Sequence, residues 1–221
     1  EVCRCFPGYS AEEQALVYGA VGGTPQYLLQ IDDRLSVAEN IKNTFLDPTS
    51  ALFEEPENLL KQEVREPALY NAIISAIANG ASRLSEISSK VGENTNVCAA
   101  YLKNLLGLGW VQKEIPYGDQ ASRKAVYVIS DNLFRFWYRF VPQNSSIISR
   151  GAKELAFKRI EPYLSEYMGN VFEQICIQYL WKLLLAGRSP VFFSELGRWW
   201  GTDPREKKQT EIDIMGVQDK T

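Results

Sequence analysis

The sequence predicts a mainly α-helical protein with a small amount of β structure. Apolar residues recur at helical spacing through most of the 221 residues. Short segments rich in Val, Tyr, Ile and Trp, one pair in the middle of the chain and one pair near its carboxyl end, have the composition of strands. The hydrophobic fraction of 45% is sufficient for a packed core and argues against a disordered chain.

Composition limits the chemistry that is available. No run of about 18 apolar residues occurs, so no membrane span is predicted. The sequence contains no histidine, which excludes Ser-His and Cys-His catalysis. The four cysteines are scattered, as expected for buried thiols of a cytoplasmic protein. The pair Cys3 and Cys5 could contribute to a metal site, but without histidine a zinc site would need all four thiols.

Charge divides the chain into unlike parts. Residues 1–66 contain 5 Lys and Arg against 12 Asp and Glu, whereas residues 67–221 contain 19 against 15. An acidic first part and a mildly basic remainder favour separate modules. The basic excess is compatible with nucleic-acid binding without requiring it.

Residues 1–66 are predicted to form a small helical bundle. Ser10 and Glu13 have the spacing of a capping box at a helix start. Gly22 and Gly23 are expected to end that helix, and Pro25 suits the first turn of another. The following apolar pattern predicts two more helices, divided near Asp47-Pro48.

Residues 67–145 predict three helices followed by two strands. Pro67 suits the start of the first helix, Ser85 is the expected N-cap of the second, and Asn94 or Thr95 is the expected N-cap of the third. Two strand-like segments then flank a loop that contains Gly118. This order within about 65 residues is typical of a winged helix-turn-helix domain.

The third helix is the candidate DNA-reading element of this domain. In the major groove it would present polar side chains to the bases, and the hairpin would contact phosphates. The candidate helix residues are Asn94, Thr95, Asn96, Lys103 and Asn104, and the candidate hairpin residues are Arg123 and Lys124. Many winged helices bind proteins instead, and a helix with a single lysine and no arginine leaves that alternative open.

An aromatic segment, residues 134–140, follows the hairpin. Phe134, Trp137 and Tyr138 share one helical face. Such a stripe could stack on nucleic-acid bases, but a buried helix that packs beside the hairpin is the favoured interpretation.

Residues 146–221 predict a partial α/β domain. A long apolar helix contains Glu173, and strand alternation places Glu211 and Asp213 on one face. Ile212, Ile214 and Val217 are expected to make core contacts. A helix Glu followed by a strand Asp is the opening of a PD-(D/E)XK nuclease core, in which the Asp ligates Mg²⁺. No (D/E)-x-K triplet follows Asp213, and the adjacent pair at 219–220 is interpreted as a loop. The alternative is a solvent-facing edge strand kept soluble by carboxylates.

Several segments together resemble the C-terminal part of the archaeal-type ATPase family, which is related to the AAA+ proteins. The matching stretches include "YGAVGGTPQYL", "ISDNLFRFWYRFV", "YMGNVFEQIC" and "GRWWG…EIDI". In that family an ATPase domain is followed by a helical lid, a winged helix and a nuclease-like C-terminal domain of unknown function. The resemblance places the end of the lid at Gly22, Gly23, Pro25 and Gln26, where many relatives have Arg in place of Gln26.

The resemblance implies that this chain is part of a longer protein. It implies a lid at residues 1–66, a winged helix at 67–145 and a nuclease-like domain at 146–221 that stops after its second strand. No G-x-x-x-x-G-K-[ST] motif occurs, so ATP and Mg²⁺ are expected only in the full-length protein. The expected partners are DNA, the ATPase domain of the same protein, and a second molecule paired at an exposed strand edge. The alternatives are a DNA-binding regulator without catalysis and a protein-interaction arm of the ATPase.

Overall fold

A computed structural model describes residues 2–119, 124–203 and 205–218. The protein is mainly helical and contains two small two-stranded sheets. The α-helices are α1 Val2–Cys5, α2 Ala11–Val21, α3 Pro25–Leu28, α4 Val37–Phe45, α5 Glu55–Glu63, α6 Pro67–Ala78, α7 Leu84–Val91, α8 Thr95–Gly107, α9 Asn132–Phe140, α10 Ser145–Ile148, α11 Lys153–Ile160 and α12 Leu164–Leu185. The strands are β1 Val111–Glu114, β2 Val126–Ile129, β3 Glu195–Thr202 and β4 Gln209–Val217. Among the described residues, 3₁₀ turns span Pro142–Asn144 and Glu161–Tyr163.

The chain folds into two compact units. Unit 1 comprises Glu1–Lys113 and Tyr127–Ser165, and unit 2 comprises Glu114–Val126 and Glu166–Thr221. The division into three modules at residues 66 and 145 stays a prediction, because modules that pack closely can form one compact unit.

Helix α9 lies at the centre of unit 1, where it contacts α2, α5 and α6. Its aromatic side chains are buried: Phe134, Phe136, Trp137, Tyr138 and Phe140. Both polar tips have partners. The Trp137 indole donates to the Phe53 carbonyl oxygen at 2.6 Å, and the Tyr138 hydroxyl donates to the Asn71 side chain. The aromatic stripe is therefore a packing face and is not available to stack on bases.

Capping sets the boundaries of the unit 1 helices. Ser10 and Glu13 form a reciprocal capping box at the start of α2, and Gly22 ends that helix with φ of 70°. The prediction of Ser85 as the N-cap of α7 is wrong. The N-cap is Arg83, because the Glu86 carboxylate accepts hydrogen bonds from the backbone N–H groups of Ser82 and Arg83, both at 3.0 Å.

Helices α6, α7 and α8 follow one another and precede the strand pair β1–β2. Their shared core contains fully buried aliphatic residues of all three helices, among them Ile73, Ile87 and Leu105. The Tyr70 and Tyr101 rings pack at 4.5 Å between α6 and α8. This arrangement leaves the N-terminal turn of α8 exposed.

Unit 2 is built from α12, the antiparallel pair β3–β4 and the segment 114–126. The Trp181 ring of α12 meets the buried Phe193 ring edge-to-face at 5.1 Å. Tyr117 lies at the outer edge of β3, since its N–H donates to the Arg198 carbonyl oxygen at 2.8 Å. The expectation that Ile212 points into the core is wrong, because its side chain is 43% exposed.

A hydrophobic helix that could cross a lipid bilayer is not found within the described ranges.

Candidate functional site

Acidic side chains from three segments of unit 2 converge on one arginine. Arg198 of β3 forms ion pairs with Glu114 at the end of β1, Glu173 of α12 and Glu211 of β4. The Arg198 Nη1 atom lies 4.0 Å from Glu114 Oε2 and 3.9 Å from Glu173 Oε2, and Nη2 donates directly to Glu211. We call these four residues, together with Asp213, the Arg198 cluster.

The Arg198 side chain is largely enclosed. It is 29% exposed, and its Nε–H has no hydrogen-bond acceptor among the described residues. Its backbone is held from the opposite side by Tyr117 N–H. Next to it, a Cβ atom added at Gly197 would lie 2.9 Å from the Tyr117 ring, so glycine is required for this close approach. The guanidinium is thus fixed in place by both neighbouring segments.

The pKa of Glu173 reflects the negative charge of the neighbouring carboxylates. Burial raises the pKa of Glu173, Arg198 lowers it, and the negative charges of Asp213, Glu211 and Glu114 raise it further. The net direction of the pKa is upward, so the single guanidinium does not compensate fully for burial and for the three neighbouring carboxylates.

A β-bulge lies at the same position. Trp199 pairs with Ile212 and Gly197 pairs with Met215, so one residue of β3, Arg198, faces two residues of β4. Those two residues are Asp213 and Ile214. The alternation of side chains between the two faces of β4, which the sequence prediction assumed, is therefore interrupted at Asp213 and Ile214. Bulges of this kind redirect side chains and are frequent beside functional sites.

The Arg198 cluster does not have the donor set of a magnesium site. Mg²⁺ requires carboxylate oxygens that are free to face the ion in near-octahedral geometry. Here Glu211 is engaged by Arg198, and a guanidinium stands among the carboxylates. Within the described part of the chain, no group of three acidic, Cys or His side chains is placed to hold a metal. The Mg²⁺ expected at Asp213 therefore does not fit these residues.

The predicted DNA-reading residues of α8 divide into two groups. Three have internal roles: Asn94 caps the helix by accepting from Asn96 N–H at 2.8 Å, the Thr95 hydroxyl lies 3.4 Å from the Ser88 hydroxyl, and Asn104 donates to the Tyr70 hydroxyl at 2.7 Å. Asn96 and Lys103 form the second group, and all five residues are exposed to solvent. The helix thus presents one cation and few donors for base edges.

Lys103 and Asn104 also line an open groove of about 670 Å³ beside α8. Tyr70 and Tyr101 also line it, as does a stretch of wall formed by the segment 63–66. That wall contains Glu63 and Glu66 as well as Arg65, so its charge is mixed. Carboxylates beside Lys103 reduce the attraction of this surface for phosphates.

The other predicted site residues are those of the hairpin and of the lid end. Arg123 lies outside the described residues. Lys124 is in the segment that belongs to unit 2, and its Nζ lies 2.9 Å from Asp119 Oδ2. At the predicted lid end, Gly22 and Gly23 are half-buried while Pro25 and Gln26 are exposed.

Sequence reasoning missed Arg198. The arginine lies within "GRWWG", a stretch that contributed only to the family resemblance. An arginine between glycine and two tryptophans, on a strand that pairs with an acidic strand, was the available signal. Cross-strand pairing of opposite charges would have placed it near Glu211.

Residues 137–221, which contain α12 and both strands of unit 2, match the sequence profile of a family (DUF234) described as archaeal and bacterial proteins of unknown function. The match includes Glu173, Arg198, Glu211 and Asp213.

An uncharacterized protein of Methanocaldococcus jannaschii is 30% identical to this chain over 215 residues. The aligned region is 97% of this chain and 47% of that protein. The chain therefore spans about half the length of the curated relative that it matches. No solved structure matches the chain.

Proposed function

We propose that this chain is the C-terminal part of a P-loop ATPase of the AAA+ type. In this proposal residues 1–66 are the lid, residues 67–145 are a winged helix that engages DNA or a protein, and residues 146–221 are a nuclease-like domain that does not cut DNA. The ATP and Mg²⁺ belong to the ATPase domain of the longer protein.

The observation that carries the proposal is the Arg198 cluster. A helix glutamate and a strand aspartate in the order expected of a nuclease-like core interact electrostatically in unit 2. The proposal that the domain does not cleave rests on chemistry. A site of the PD-(D/E)XK type hydrolyses phosphodiesters with a metal-bound hydroxide, and two of the carboxylates here, Glu173 and Glu211, are paired with a guanidinium.

A nuclease assay tests the non-catalytic role. The chain is incubated with single-stranded and duplex DNA in Mg²⁺ or Mn²⁺, and the expected result is no cleavage. Cleavage that is abolished by Asp213→Ala would show a working nuclease and contradict the proposal. Cleavage that survives Asp213→Ala does not come from this site.

DNA binding by α8 is tested by fluorescence anisotropy with labelled duplex DNA. We expect weak binding that falls steeply with salt and that Lys103→Ala weakens, with the salt slope reduced by about 1. Lys61→Ala is the matched control, because it removes one exposed lysine from α5 outside the winged-helix region. Equal loss in both variants would mean non-specific attraction, and no binding at low salt would exclude DNA as the partner.

A protein partner is the second candidate for the same surface. The observation that favours it is the low charge of α8. The helix exposes an apolar side chain, Val97, and contains one lysine, Lys103. The test adds this chain to the separately produced ATPase half of the longer protein and measures ATP hydrolysis. A change in rate that Val97→Asp removes supports a regulatory arm. An unchanged rate, with no co-elution of the two pieces, rules it out.

A further inference from the structure

Arg198 lies between the helix glutamate and the acidic strand of the predicted nuclease-like pattern. Its guanidinium contacts carboxylates from α12, from β4 and from the end of β1 at the same time. Two of these segments, α12 and β4, contain the glutamate and the aspartate of the predicted nuclease-like pattern, Glu173 and Asp213. A cation that bridges carboxylates from three segments performs the structural task of a bound divalent ion, namely to offset their mutual repulsion.

We infer that Arg198 is the permanent cation of this site, and that it closes the carboxylate cluster to divalent metal ions. The inference rests on the proposed nuclease-like ancestry only for the choice of metal to test. The proposed function states only that the domain does not cleave DNA. The role of Arg198 explains why no metal ion binds there.

Two independent features hold Arg198 where it is. The Tyr117 N–H fixes the Arg198 backbone from outside the sheet. The bulge places two residues of β4 opposite Arg198, and Asp213 is one of them.

The inference predicts the behaviour of substitutions at this position. Arg198→Gln removes the positive charge that Glu173, Glu211 and their acidic neighbours share, and hard oxygen ligands that repel one another attract a hard cation. Arg198→Lys keeps the positive charge and is expected to keep metals out. Arg188→Gln, which removes an exposed arginine from the same unit, is the matched control.

The experiment measures binding of Mn²⁺ by the loss of its free electron paramagnetic resonance signal. We expect no binding to the wild type, to Arg198→Lys or to Arg188→Gln, and binding near one equivalent to Arg198→Gln. The additional substitution Asp213→Asn in the Arg198→Gln variant should weaken that binding at least tenfold. Binding to the wild type, or no binding to a folded Arg198→Gln variant, overturns the inference.

The Arg198→Gln variant can also be informative if it is unstable. When a metal replaces the missing counter-ion, Mn²⁺ should restore the helical circular dichroism signal, because metal binding and folding are linked. No recovery on adding Mn²⁺ contradicts the inference. Cleavage of DNA by the wild type would contradict both this inference and the proposed function, whereas Mn²⁺ binding without cleavage would contradict only this inference.

Discussion

At the scale of single residues, two basic side chains lie inside the protein with carboxylates around them. Lys42 is 7% exposed and its Nζ contacts Glu39 and both carboxylate oxygens of Glu154, the latter at 3.0 Å. Arg198 has the same kind of environment in unit 2. Each of these cations offsets the repulsion between neighbouring carboxylates.

Glu173→Gln is expected to stabilise the protein at neutral pH. The pKa of Glu173 is raised in the folded state, so its ionised form is less favourable there than in the unfolded chain. That penalty is present above the raised pKa and disappears as the pH falls through it and below the ordinary pKa of a glutamate. The advantage of the glutamine should therefore shrink on acidification.

Urea unfolding at neutral and acidic pH measures this difference, with Glu195→Gln as an exposed control in the same unit. A Glu173→Gln variant that is less stable than the wild type at neutral pH would mean that the Arg198 ion pair outweighs burial and carboxylate repulsion.

At the scale of elements, α9 is the helix whose packing decides the stability of unit 1. Leu133→Ala is expected to lower the free energy of unfolding by about 2–5 kcal/mol, because the side chain is completely buried and the helix is held on several sides. Leu29→Ala serves as the control. Leu29 is 82% exposed, so its truncation should change stability by less than about 0.5 kcal/mol.

Chemical denaturation of the two variants gives the comparison directly. Similar losses for Leu133→Ala and Leu29→Ala would mean that α9 is not the core of the cooperative unit.

Elements that are determined locally could be predicted from the sequence. The α2 capping box, the α8 N-cap and the order of helices α6 to α8 depend on residues within a few positions of one another, and the structure has them where the patterns placed them. The predicted N-cap of α7 is wrong because a carboxylate side chain, Glu86, bonds two backbone N–H groups before the helix. The position of this N-cap depends on side-chain geometry, which the spacing of apolar residues does not reveal.

The Arg198 cluster depends on contacts between distant parts of the chain. Glu173 and the acidic strand could be proposed as neighbours from their order in the sequence. The presence of Arg198 between them depends on the pairing of β3 with β4 and on the position of the bulge, neither of which is encoded in a local pattern.

At the scale of the whole molecule, the two compact units differ in how much apolar surface they bury. The buried apolar side chains that the structure describes in unit 2 are Ala125, Tyr167, Val171 and Phe193. Large apolar side chains of the same unit are exposed, including Phe172 at 61% and Phe192 at 63%. Unit 1 contains the remainder of the buried core among the described residues.

Hydrogen exchange should therefore be slowest in unit 1. We expect the amides of α9 to exchange only through global unfolding, and those of β4 to exchange through smaller and less costly openings. Exchange followed by mass spectrometry on peptides that cover the two elements gives the comparison. Equal protection of both elements would show that the units unfold as one cooperative structure.

The bulge opposite Arg198 also affects how related sequences should be compared. If β4 is treated as a regular strand, Met215 and the residues after it are assigned to the wrong side of the sheet. An alignment that allows no one-residue gap at Asp213 would then compare an acidic position in one protein with an apolar position in another. A relative that lacks the extra residue could keep the same letters around this carboxylate and still direct it elsewhere.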